Sequence, residues 1–158
     1  PISPIEITCG YVLAAASKSV LVGLIILITS AFFIEITILH PFWMLLFLIL
    51  MSITFSLFGF IIGIWANDFQ KIQLIPSFIL TPLTFLGGSF YSIGMLPDFW
   101  QKLSYVNPIV YLISSFRWSF FGNSDVNVVV SISATFFFLV LCMVFVSWIF
   151  KTGYKIKT

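Results

Sequence analysis

The sequence predicts an all-α, polytopic membrane protein with four transmembrane helices and a re-entrant helical hairpin on the outer face. Three observations carry this fold class. Hydrophobic residues make up 61% of the 158 residues and charged residues only 8%. Mean hydropathy is +1.18, and 20 Phe together with the Leu, Ile and Val runs exceed what a soluble core of this length can bury. The apolar residues also gather in four long stretches, 20–39, 42–66, 74–93 and 126–150. A bilayer core about 30 Å thick takes about 20 helical residues to cross. No water is present there, so the backbone must hydrogen-bond to itself as helix.

Residues 1–19 form the segment leading into the first span. Ser3 is a candidate N-cap, Pro4 suits a first helical turn, and Glu6 favours the positive helix end. This segment reads either as a membrane-surface helix or as a docking surface for a cytoplasmic partner. The first span, 20–39, holds Glu35 in its outer third. A carboxylate there is either a functional group in the apolar zone or a solvated boundary residue.

The second span, 42–66, carries Ser52, Ser56, Gly59 and Gly63 at spacings that form one stripe along a helix. Small side chains let helix backbones approach closely in lipid, so the stripe predicts helix packing, with a pathway lining as the other reading. The third span, 74–93, differs in kind. Pro76 and Pro82 each remove a backbone donor and bend a helix, and Gly87-Gly88 loosens the chain before the outer boundary. Such a broken span survives only where neighbours or a wet cavity satisfy the freed carbonyls.

Residues 97–122 contain an apolar stretch too short to cross and interrupted at Asn107-Pro108. They predict two short helices that dip into the outer leaflet and return. Arg117 at the end of this hairpin could anchor to lipid phosphate, pair with Asp98 or Asp125, or meet an anionic substrate. The last span, 126–150, is followed by a tail, 151–158.

Charge sets the orientation. Lys18, Lys71, Lys151, Lys155 and Lys157 are five of the seven basic residues, and all fall on one side if four spans are drawn. Basic residues accumulate in cytoplasmic loops, so both ends of the chain are predicted to be cytoplasmic. Only Lys102 and Arg117 remain outside. Trp43 and Tyr91 then mark the outer boundary, and Tyr11, Trp65, Trp148 and Tyr154 the inner one.

Several chemistries are excluded. The net charge of +2 is too small and dispersed for a nucleic-acid surface. No phosphate-cradling Gly-x-x-x-x-Gly-Lys-Ser/Thr loop is present, which argues against ATP hydrolysis by this chain. The single histidine, His40, has no co-ligand for a metal or haem, and no Gly-x-Ser-x-Gly serine is present. Cys9 and Cys142 read as small apolar residues rather than a disulfide. The chain opens at Pro1 without a charged, cleavable leader, and reads as the C-terminal part of a longer polypeptide.

The order Leu86, Gly87-Gly88, Phe90-Tyr91, Leu96-Pro97, Asn107-Pro108 and Arg117 resembles the membrane-spanning permease of type-2 ABC exporters, in its C-terminal part. Pro4-Ile5-Glu6-Ile7 with Gly10-Tyr11 is similar to that family's cytoplasmic connection before its third span. The resemblance implies one permease domain over 1–158, supplying the last four of six spans, in the bacterial inner membrane. It implies no enzymatic activity here, with ATP and Mg held by a separate ABC ATPase subunit. It further implies a second permease copy as partner. Pro4, Ile5, Glu6, Asp68 and Lys71 would contact the ATPase, and Pro82, Gly87, Gly88, Asn107, Pro108 and Arg117 would line or gate the path. The expected cargo is a lipid, polysaccharide or amphipathic drug. An ion-coupled secondary transporter, with Glu35 as its carboxylate, and a non-transporting scaffold are the alternatives.

Overall fold

The computed structural model describes residues 3–66 and 68–152. Expectations placed on Asn67, Tyr154, Lys155, Lys157 and the side chain of Pro4 lie outside the described residues. Helices joined by loops make up the described residues, with no strand among them. The helices are α1 (Pro4–Ala31), α2 (Pro41–Trp65), α3 (Phe69–Ile75), α4 (Thr81–Leu86), α5 (Asp98–Val106), α6 (Pro108–Phe121) and α7 (Val128–Thr152). A π-helical turn, Pro76–Leu80, joins α3 to α4, and a 3-10 turn, Ile93–Met95, precedes α5.

α1 begins where its cap is, well before residue 20. The Ser3 hydroxyl accepts from the Glu6 amide at 3.2 Å, and the Glu6 carboxylate accepts from the Ser3 amide at 2.8 Å. This reciprocal pair satisfies two donors that a helix start otherwise leaves open. Nothing between Ile5 and Val20 interrupts the helix, so the predicted separate segment 1–19 is the first half of α1 as far as it is described. The helix also stops at Ala31 rather than 39. Ile34, Ile36, Thr37 and Ile38 are β-branched and favour extended chain. The strap that follows bonds elsewhere: the Leu39 amide donates to the Phe120 carbonyl at 3.2 Å and the His40 amide to that of Ser119 at 2.9 Å. Glu35 therefore lies exposed in the strap and not inside a helical span.

α2 and α7 start and end within two residues of expectation. Pro41 suits the first position of α2, where its missing N–H costs nothing. α2 is the central helix and touches α1, α6 and α7. One end of the bundle is closed by Val12, Leu57, Cys142 and Val146. Ring contacts from Tyr11 to Phe60 (6.0 Å) and Phe60 to Phe150 (6.3 Å) put the start of α1 beside the ends of α2 and α7. At the opposite end His40 stacks on Trp118 at 4.4 Å, and Trp43 meets the same indole edge-on at 6.1 Å.

Three helices, α1 from Ile5 onward, α2 and α7, are long and apolar enough to cross a bilayer. The third predicted stretch, 74–93, is a composite, Phe69–Leu86, about 27 Å of helix. Proline accounts for its irregularity. Pro76 and Pro82 offer no amide, and the Thr81 amide and hydroxyl both reach back to the Pro76 carbonyl, the hydroxyl at 3.1 Å. The composite ends at Leu86 because Gly88 turns the chain with φ +80°, a conformation open to glycine.

Candidate functional site

The residues that singled out the third connection in the sequence meet around α6. α6 starts at Pro108 because Asn107 caps it, its side-chain oxygen accepting from the Ile109 amide at 3.0 Å. The same Asn107 side chain donates to the Leu83 carbonyl at 2.6 Å. That carbonyl is free because the Gly87 amide bonds to Thr84 in a tighter turn. The apex of the α5–α6 hairpin is thereby tied to α4 about one turn before α4 ends. The hairpin splits at Asn107-Pro108, as the sequence predicts, with Asn107 buried.

Gly87 and Gly88 lie against the hairpin. A Cβ on Gly87 would stand 2.9 Å from the Ile113 Cδ1, 3.0 Å from the Leu83 carbonyl oxygen and 3.1 Å from the Ile109 Cγ2, so glycine lets the end of α4 approach α6 without displacing these atoms. Gly88 turns its carbonyl toward Arg117, whose guanidinium donates to it and, at 3.3 Å, to the Tyr91 carbonyl. The other arm of the fork pairs with the Asp125 carboxylate at 2.5 Å. Asp125 also accepts from the Ser92 hydroxyl. Arg117 and Asp125 are 23% and 12% exposed, so this pair is only partly screened by solvent.

One polar knot thus ties three parts of the chain: the loop after α4, the C-terminal half of α6, and the turn before α7. The interior of α6 continues it with hydroxyls. The Val126 amide donates to the Ser114 hydroxyl at 3.1 Å, and Ser115 and Ser119 bond back to their own helix. Chemically the knot can hold these three segments together by charge-assisted bonds.

The other predicted residues are distributed as follows. Pro82 is exposed on α4, on the same composite helix but outside the knot. Ile5 and Glu6 begin α1, and Asp68 and Lys71 follow α2, at the opposite end of the bundle. Asp68 and Lys71 approach each other at 3.8 Å, an exposed pair. Ser52 is buried, whereas Gly59 and Gly63 have no atom within 4 Å of where a Cβ would be. The described residues therefore bring no helix against those two glycines. Ser52, Ser56 and Gly59 instead line a shallow groove beside Tyr11 and Ala15 of α1.

The sequence left Arg117 with several partners, and the structure gives it Asp125. Ser92 went unremarked because nothing about a lone serine foretells a bond to a residue 33 positions away. The contact of His40 with Trp118 was missed for the same reason. Among the described residues no cluster of His, Cys, Asp and Glu could hold a metal.

Comparison with known proteins bears on this arrangement. Residues 1–121 match the family described as ABC-2 type transporter. Over 140 residues the chain is 41% identical to the inner membrane transport permease YadH of Escherichia coli K12, covering 89% of this chain and 55% of that protein. The Shigella flexneri protein of the same name matches equally. Nodulation protein J of Sinorhizobium fredii is 26% identical over 136 residues, covering 86% of this chain and 52% of that protein. The chain spans about half the length of the curated relatives it matches. No solved structure matches it.

Proposed function

The chain belongs to the ABC-2 type transporter family, and from that premise we propose that it is the membrane permease of an ATP-driven exporter in a bacterial inner membrane. The observation that carries the proposal is the knot of Gly88, Tyr91, Ser92, Arg117 and Asp125, which closes the outer end of the bundle beside a proline-broken helix. In this reading the composite Phe69–Leu86 is the third of four spans, and the α5–α6 hairpin re-enters the outer leaflet. Both chain ends face the cytoplasm. Basic residues favour this orientation, with Lys71 and Lys151 at the end opposite Arg117, whereas Lys18, expected before the first span, lies midway along α1 because that helix already starts at Pro4.

A separate ABC ATPase binds ATP and Mg and pushes on the start of α1 and on the Asp68–Lys71 segment. Two permease copies enclose the path between them. The π turn between α3 and α4 absorbs the resulting tilt, since its hydrogen bonds are already irregular. The tilt draws Gly87-Gly88 away from α6 and opens the knot on the outer side. A lipid, a lipid-linked sugar or an amphipathic drug would suit so apolar a path.

The test is transport into inside-out vesicles holding the full-length permease with its ATPase. Uptake into inside-out vesicles should require ATP and stop when the ATPase is omitted. Transport that persists without any ATPase removes the exporter reading.

A further inference from the structure

A second cavity, away from the knot, has a shape and a charge that nothing in the transport reading uses. It occupies about 400 Å³ between α1, the strap 32–40, α2 and α6, within the range of about 300–1,000 Å³ typical of small-ligand sites. We propose that it binds one acyl chain of a zwitterionic aminophospholipid whose ammonium group pairs with Glu35.

The walls are apolar: Leu27 of α1, Met44 and Leu48 of α2, and Phe116 and Phe120 of α6. Gly23 deepens the floor, because a Cβ there would already stand 3.0 Å from the Leu48 Cδ1. Gly23, Leu27 and Ser30 follow one another on one face of α1, so the groove runs along the helix axis for about 10 Å. α1 is long and apolar enough to cross the bilayer, so this direction is that of an acyl chain in the adjoining leaflet. A helix crossing at an angle would not follow it.

The polar end of the groove is at the strap. Glu35 is the one charged residue lining it, with Ser30 and Thr37 supplying hydroxyls nearby. Among the described residues no basic side chain pairs with Glu35, and Arg117 is committed to Asp125. A carboxylate at the rim of an apolar slot selects a head that carries an ammonium and no net negative charge. An anionic phospholipid would bring its charge against Glu35 without compensation. The proposal rests on the chain's apolar helices lying in a bilayer and not on coupling to ATP, so its failure would leave the exporter reading standing.

Native mass spectrometry of the full-length permease tests it. The protein is delipidated and then offered equal amounts of phosphatidylethanolamine and phosphatidylglycerol. The wild type should retain the first over the second by about fivefold, the upper end for one exposed ion pair. Glu35→Gln should abolish the preference, and Glu35→Lys should invert it. Gly23→Leu should remove the tightly held lipid of either kind. If that variant does not fold, Leu27→Trp fills the same slot. No retained lipid in the wild type, equal retention of the two lipids, or a preference that survives Glu35→Gln would each overturn the proposal.

Discussion

Arg117 shows how much of its end of the bundle depends on one side chain. Its planar fork reaches a carboxylate and two backbone carbonyls at once, a pattern that a lysine ammonium cannot copy. Arg117→Ala would leave Asp125 partly buried without its cation and two carbonyls without donors. The expected loss of stability is about 3 kcal/mol, read as a lowered unfolding midpoint of the purified full-length permease. Arg117→Lys should recover less than half of it. Asp125→Asn keeps one oxygen to accept from Arg117 and turns its amide toward the Ser92 hydroxyl, which can accept, and should cost only about 1 kcal/mol. An Arg117→Ala protein as stable as wild type would show the knot to be incidental. The sequence pointed to Arg117 by its place after Asn107-Pro108, but its partner could not be read there. Asp98 and Asp125 are equally plausible until the chain is folded, and only the positive φ of Gly88 aims a carbonyl at the guanidinium.

At the scale of elements, legibility tracked the strength of local signals. α2 and α7 are long, uniformly apolar and bounded by Pro41, by Ala66 and by the polar 122–127 turn, so length alone located them. The break at Asn107-Pro108 was equally clear, because the residue before proline leaves the helical region. α1 was misjudged at both ends. Its capped start was noticed but treated as a separate segment, and its finish depends on strap-to-α6 hydrogen bonds between residues about 80 positions apart. The π turn had no signature beyond its prolines. Those prolines carry the element-scale prediction. Replacing both Pro76 and Pro82 by Ala restores two amides and favours a regular helix from Phe69 to Leu86. The double variant should insert normally and unfold at a slightly higher temperature. Its ATP-driven transport should fall about tenfold, a barrier rise of about 1.4 kcal/mol. Unchanged transport would mean that the bend is not where the motion is taken up.

For the whole molecule the testable statement is topological. Single cysteines at Asp98 and Lys102 should react with a membrane-impermeant thiol reagent in intact cells, and cysteines at Lys71 and Lys151 only after permeabilisation, in a background lacking Cys9 and Cys142. Labelling of Lys71 from outside would reverse the composite span and undo the gate. The composite helix Phe69–Leu86 contains a π turn at Pro76–Leu80. A π turn holds one residue more than an α turn, and each residue advances a helix by about 100°. The side chains of Phe69–Ile75 and Thr81–Leu86 are therefore out of azimuthal phase with each other. Ile72, Leu74, Phe78, Ile79 and Phe85 accordingly radiate in several directions and all remain exposed. No single flat neighbour can cover such a corkscrewed surface. Whatever surrounds it must approach from more than one side, and a one-residue deletion within 76–80 would swing one half of the helix to face a different neighbour.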